Sequence, residues 1–196
     1  MSKHGLVLEV PDLSLIENEL KREQSKSKYG RVLRSTIYAL IVVAAVAVLI
    51  AVFWLPVFRI YGTSMVPTVE KGDIVVSVKG SRFDSGDIVG LYVGNRLLVK
   101  RVIAGPGQWV DMTDDGTVYV DGEMLDEPYI REKAFGDCNI ELPYQVPDGK
   151  YFVMGDNRAT SADSRHTSIG CIEEEQIVGR VLMRLWPLNK IGGIGE

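Results

Sequence analysis

The polarity of the chain divides it into two kinds of segment. From Ser35 to Phe58 no residue is charged. As a helix rising 1.5 Å per residue, this run would reach about 36 Å, enough to cross a hydrocarbon core of about 30 Å. The buried helix of a soluble domain rarely runs this long without a charge. A removable leader has a shorter apolar core that ends in small residues. This run ends instead in Phe53, Trp54 and Phe58, with Pro56 as a helix breaker. Tyr38 and Trp54 stand near its ends, where interfacial aromatic residues collect. The pattern predicts a retained membrane-spanning helix over 35–58. Beyond it, β-branched runs lie between Gly, Asp and Asn punctuation and predict strands over 73–79, 87–93, 96–104, 117–120, 151–154 and 177–186. Asp115-Gly116 and Asp121-Gly122 bracket the fourth of these with hairpin chemistry. Only 173–176 reads as a helical turn.

The expected fold is therefore mainly β, barrel-like or otherwise complex, behind one N-terminal helix. Three regions follow: a tail over 1–34, the span over 35–58 and a β domain over 59–196. Pro11 interrupts the leucines of residues 1–20, which predicts a loosely ordered tail there.

Charge gives this layout a direction. Lys21, Arg22, Lys26, Lys28, Arg31 and Arg34 precede the span, with Glu23 alone against them, and only Arg59 follows closely. The positive-inside rule puts the tail in the cytoplasm and the β domain outside. After Phe58 there are 15 basic and 21 acidic residues, within an overall net charge of −4. An acidic chain argues against a nucleic-acid partner. Two cysteines and two histidines are too few, at the wrong spacings, for a zinc site, so neither a metal nor a cofactor is expected. Cys138 and Cys171 fall on the outer side, where a disulfide can persist, but their spacing does not decide whether they pair.

Candidate chemistry begins with Ser64. Gly62 and Pro67 flank it and predict a constrained, extended loop. Lys100 stands among Leu97, Leu98, Val99, Val102 and Ile103. There it either snorkels at an edge or is buried with a lowered pKa. Beside Ser64, a neutral amine could take the hydroxyl proton and activate the oxygen. The polar run Gly155–Arg165 is either a solvated loop with an internal Asp–Arg pair or a third part of the same site. His166, three residues from Asp163, leaves a Ser–His–Asp arrangement open, and Cys138 or Cys171 beside His166 leaves a cysteine nucleophile open. No serine of the outer segment stands in a Ser-x-x-Lys pattern. A non-catalytic anchored β domain that binds envelope proteins is the alternative from another class.

Ser64-Met65-x-Pro67, Lys100-Arg101-Val-Ile-Ala-Gly-Pro-Gly107, and Gly155-Asp156-Asn157-Arg158 with Ser161-x-Asp163-Ser164-Arg165 follow one another after an N-terminal anchor. Together they resemble type I signal peptidases, from the anchor to Trp186-Pro187. The resemblance implies a membrane-anchored serine endopeptidase that removes signal peptides from exported preproteins after small residues in an Ala-x-Ala pattern. It implies Ser64 as nucleophile, Lys100 as general base, Ser161 orienting the amine, and an Asp163–Arg165 salt bridge supporting the loop. It also implies the Ser64 N–H as an oxyanion donor. Where some members carry a second, hydroxyl donor this chain has Gly62, and His166–Ile169 intervene before Gly170, where many members return to glycine sooner. The lipid bilayer and the secretion translocon are implied partners beside the preproteins. Ser64 lies six residues past Phe58, hence within about 20 Å of the end of the span. An extended substrate along a strand edge would suit such a site. Ile60, Met65 and Val99 are the candidate pocket residues, with plain core packing as the alternative.

Overall fold

The computed structural model describes residues 13–194. The chain divides between Ala51 and Val52 into two compact units. Helix α1, Leu13–Trp54, forms the described part of the first as far as Ala51. Its Tyr29–Trp54 portion is long and apolar enough to cross a membrane, and none of its most apolar stretch is buried by protein. A surface so apolar and so uncovered is consistent with a lipid-embedded anchor. The tail expected over 1–20 lies outside the described residues as far as Asp12, and from Leu13 the chain is helical. The uncharged run continues to Phe58, but the helix does not. Pro56 cannot donate to it, and Val57–Arg59 instead forms strand β1.

The second unit is mainly β. After β1 come β2 (Ile74–Val78), β3 (Ile88–Val93), β4 (Arg96–Ala104), β5 (Trp109–Met112), β6 (Val118–Val120), β7 (Glu123–Met124), β8 (Tyr144–Gln145), β9 (Lys150–Met154), β10 (Ile172–Glu173), β11 (Ile177–Trp186) and β12 (Gly192–Gly193). One sheet runs β1-β2-β11-β3-β4-β9-β10, with β12 added to β11, and a second runs β7-β6-β5-β8. The pairings are antiparallel. The larger sheet has open ends, so the unit is a complex β fold and not a closed barrel. A 3-10 turn at Glu174–Gln176 leads into β11.

Three buried clusters hold the unit together. Phe58, Ile60, Met65, Val69, Val75, Ile88 and Val181 form the one beneath the Ser64 loop. Phe58 is seated there because β3 has a glycine opposite it: a Cβ at Gly90 would lie 2.6 Å from the Phe58 ring. Burying such a ring is worth about 1.5–3 kcal/mol. That anchors β1 and fixes where the chain enters the Ser64 loop.

Lys100 and Arg101 lie on β4. It pairs with β3 from Arg96 to Arg101. On its other edge it pairs with β9 only from Arg101 onward. The main chain of Arg96–Lys100 therefore keeps one unpaired edge among the described residues.

Candidate active site

Ser64 sits in a loop that is wound, not extended as the flanking Gly and Pro suggest. Val66 N–H donates to Thr63 O at 3.2 Å, and Val69 N–H to Met65 O at 2.9 Å. The reason is packing. Met65 and Val69, four residues apart, both enter the cluster around Phe58. A helical turn brings such positions side by side, whereas an extended chain would hold them about 13 Å apart along one face. The loop is strapped from across the site: Asn157 N–H donates to Ser64 O at 2.9 Å, and the Asn157 amide to Thr63 O at 3.4 Å.

Lys100 is 3% exposed, so it does not snorkel to water. Its Nζ donates to Ser161 Oγ at 2.8 Å. Burial pushes the amine down from 10.5 to about 8, opposed by the carboxylate of Asp163, aided by Arg165 and opposed again by Asp156. An amine at about 8 is partly neutral at neutral pH, where an ordinary lysine is almost wholly charged.

Gly155 brings these pieces together. A Cβ there would lie 2.2 Å from Ser161 Oγ and 2.5 Å from Ser64 O. Any side chain would drive apart the hydroxyl that holds Lys100 and the main chain that carries Ser64. Gly155 N–H donates to Asp163 Oδ2 at 3.0 Å, and its carbonyl accepts from Arg158 Nε at 3.1 Å. Asp163 and Arg165 form a bidentate buried pair, Nε–Oδ1 at 2.8 Å and Nη2–Oδ2 at 2.9 Å. Arg165 also donates to Phe135 O at 2.7 Å and Arg158 O at 2.9 Å. Burial works to raise the Asp163 carboxyl, but Arg165 and the Gly155 N–H win and hold it low.

A groove of about 430 Å³ opens at Ser64. One wall is Phe58–Gly62 with Met65, the other Arg96–Val99. Ile60, Met65 and Val99 all line it. They also pack into the cluster around Phe58, so core packing and groove lining are the same residues here. Leu97 and Leu98 line the groove as well and had no distinguishing sign in the sequence. Among the described residues neither the Ser64 hydroxyl nor its N–H has a hydrogen-bond partner.

The other candidate nucleophile systems are not assembled. His166 Nδ1 lies 2.8 Å from Ser168 Oγ, and Nε2 lies 3.2 Å from the Asn139 amide. Its link to Asp163 is through the main chain alone, His166 N–H to Asp163 O at 3.0 Å. His166–Ile169 close a tight turn, with Gly170 N–H donating to His166 O at 2.9 Å. Cys138 and Cys171 are free thiols. Burial pushes the Cys171 thiol up, away from the thiolate a nucleophile needs.

Sequence reasoning did not find Thr68, Glu127 or Tyr129. Thr68 donates to Asp156, which is bound bidentately by Arg101 at 2.9 and 2.8 Å. Arg101 is stacked on Tyr129 with its guanidinium carbon 3.7 Å from the ring centre. Glu127 binds Arg158. Glu127 and Tyr129 lie in a stretch without strand or helix periodicity, and nothing local marks what they touch.

Ser64 lines the groove, and Gly155 lies against both the Ser64 main-chain oxygen and the Ser161 hydroxyl that holds the Lys100 amine. A serine hydroxyl and an amine near neutrality are the groups that nucleophilic hydrolysis uses. The family model described as signal peptidase, peptidase S26, matches residues 33–186. A signal peptidase I of Bacillus licheniformis is 37% identical over 166 residues, covering 78% of this chain and 88% of the relative. One of Bacillus amyloliquefaciens is 36% identical over 183 residues, covering 88% and 98%. A solved signal peptidase I from Enterococcus faecalis V583 is 27% identical and covers 52% of this chain and 98% of that one, with a TM-score of 0.44, an overlap too partial to bear on the fold. The chain belongs to the signal peptidase family, peptidase S26, whose members here are peptidases, and its apolar N-terminal helix is consistent with a membrane anchor.

Proposed function

We propose that this chain is an anchored endopeptidase that cleaves signal peptides from exported preproteins after small residues, with Ser64 as nucleophile and Lys100 as general base. The observation that carries the reading is the buried Lys100 amine, held by Ser161 and brought down to about 8. With the substrate bound, the neutral amine takes the Ser64 proton as Oγ attacks the scissile carbonyl. The resulting ammonium then protonates the leaving amine, and a water deacylates the serine with the same base. The Ser64 N–H is a donor for the oxyanion. Ser161 orients the amine, and the Asp163–Arg165 pair holds the loop that carries Ser161.

The groove supports an extended substrate. Arg96–Val99 has a free main-chain edge and forms one wall, so a peptide can add to it as a strand. Its side chains would then alternate into and out of a groove walled by Ile60, Met65 and Val99, which favours small residues at inward positions.

The assignment of regions completes the proposal: a cytoplasmic tail over 1–34, a membrane span over 35–58 and an outer catalytic domain over 59–196. The bilayer is a partner through the span, and the secretion translocon delivers the substrate. The test is cleavage of a reporter preprotein in detergent. Wild type should release the mature protein and Ser64→Ala should not, whereas an anchored binding domain would keep its function in the variant. Protease added outside intact cells should digest residues after Phe58 and spare the tail. Protection of the outer segment would refute the topology.

A further inference from the structure

Two buried arginines flank the site and neither has a role in the reaction just described. Arg101 is 2% exposed and Arg158 1%. Each is held by a residue from one short segment, Glu127–Tyr129, which lies between β7 and β8 and outside every catalytic motif.

The Arg101 side begins at β4. Lys100 and Arg101 are consecutive strand residues and point to opposite faces. Arg101 binds both oxygens of Asp156, donates to Gly86 O at 2.7 Å, and has its guanidinium carbon over the Tyr129 ring, 3.7 Å from its centre. Asp156 also accepts from Thr68, four residues beyond Ser64. Asp156 thus joins β4, the Ser64 loop and the Gly155 loop, and Tyr129 covers the cation that holds it. A stacked aromatic face keeps water from an ion pair and fixes the plane of the guanidinium.

The Arg158 side converges on the same glycine. Glu127 binds the Arg158 guanidinium, and Arg158 Nε donates to Gly155 O at 3.1 Å. The Tyr129 hydroxyl donates to Glu127 Oε1 at 3.1 Å, which joins the two sides. Burial, then the Glu127 charge, push the Tyr129 hydroxyl up, so it stays a donor at any physiological pH.

We infer that Glu127 and Tyr129 are positioning residues for the reaction: acting through Arg158 and Arg101, they hold Gly155 and Asp156 so that Ser64 and the Lys100–Ser161 pair keep their separation. The inference rests on the Ser64–Lys100 reading. Neither residue lines the groove. Loosening them should therefore misplace the reacting groups without weakening substrate binding. It should also admit water to the amine and return its pKa toward the ordinary lysine value.

The experiment uses the full chain in detergent and a peptide substrate spanning a cleavage site. It measures kcat, KM and the pH dependence of kcat/KM per folded molecule for Tyr129→Leu, Tyr129→Phe and Glu127→Gln. Tyr129→Leu removes the stacking and the hydroxyl, and kcat should fall about 10²-fold with KM within about twofold. The alkaline rise in kcat/KM should move to higher pH. Tyr129→Phe keeps the stacking, and Glu127→Gln keeps the shape. Each should lower kcat by about tenfold or less and move the rise in the same direction. If Tyr129→Leu does not fold, these two milder variants decide. Wild-type kcat and an unmoved pH profile in the folded variants would overturn the inference, since a purely structural role lowers the melting temperature and nothing else. Failure of the underlying reading would look different: Ser64→Ala would cleave, or wild type would show no rise near the Lys100 pKa.

Discussion

Lys100 and Arg101 are neighbours on one strand, both basic side chains and both buried, and their surroundings are opposite. On one face, Lys100 meets a neutral hydroxyl at 2.8 Å, and burial takes its pKa to about 8. On the other, Arg101 has a bidentate carboxylate and an aromatic cover. The lesson is that burial has different consequences for different side chains and partners: a guanidinium does not deprotonate and is held by a carboxylate, whereas a buried amine facing only a hydroxyl is brought toward its neutral form. A carboxylate in contact would hold a lysine charged. A hydroxyl satisfies one N–H of the amine without neutralising the cost of charge. Asp163 acts on Lys100 only at a distance, because Arg165 occupies both of its oxygens.

Substitutions at Lys100 should break this contrast most severely. Lys100→Arg keeps the charge and cannot deprotonate, so cleavage should fall about 10³-fold or more. Lys100→Met should be equally inactive and yet more stable at neutral pH. A shift from 10.5 to about 8 corresponds to a cost on the order of 3 kcal/mol for holding the charged form folded. The sign also fixes the pH dependence. The folded pKa is below the unfolded one, so between about 8 and 10.5 the unfolded chain binds the extra proton, and stability from this group rises with pH across that window. Denaturant melts of wild type and Lys100→Met at pH 7 and pH 10 check this, and the advantage of the methionine should shrink at the higher pH.

Arg101→Met should have the opposite signature. It leaves Asp156 buried without its cation, and stability should drop by about 3–5 kcal/mol. Equilibrium unfolding at pH 7 is the measurement, and an unchanged midpoint would mean that Arg101 is as dispensable to the fold as Lys100.

Gly155→Ala sharpens the comparison at the point where the two faces meet. The added methyl must displace Ser161 Oγ or the Ser64 main chain. Overpacking of this kind costs about 1–3 kcal/mol. The same displacement should lower kcat more than it raises KM, since the groove walls are untouched. Steady-state kinetics of the folded variant test it.

Much of this was legible in the sequence, and what was not has physical reasons. The six β-branched runs became strands because burial on alternating or both faces leaves a plain pattern, as in the strands from Ile74 and from Arg96. Trp109–Met112 alternates exposed and buried and was passed over because Val110 is its one β-branched residue. Val57–Arg59 begins inside the uncharged run, where only Pro56 marks the change from helix to strand. Ser64, Lys100 and Ser161 stood out as polar residues in telling company. Their supports did not: Tyr129 and Arg101, or Glu127 and Arg158, are about thirty residues apart and meet only through the fold. The turn of the Ser64 loop was likewise set by distant packing of Met65 and Val69.

The central claim is that Lys100 is neutral often enough to be a base. The most direct measurement is its own titration, followed by NMR in protein carrying isotope-labelled lysine, with Lys100→Met to assign the signal. The account predicts a midpoint near 8, matched by the rise of kcat/KM with pH. A midpoint at the ordinary lysine value, with cleavage already complete well below it, would contradict it.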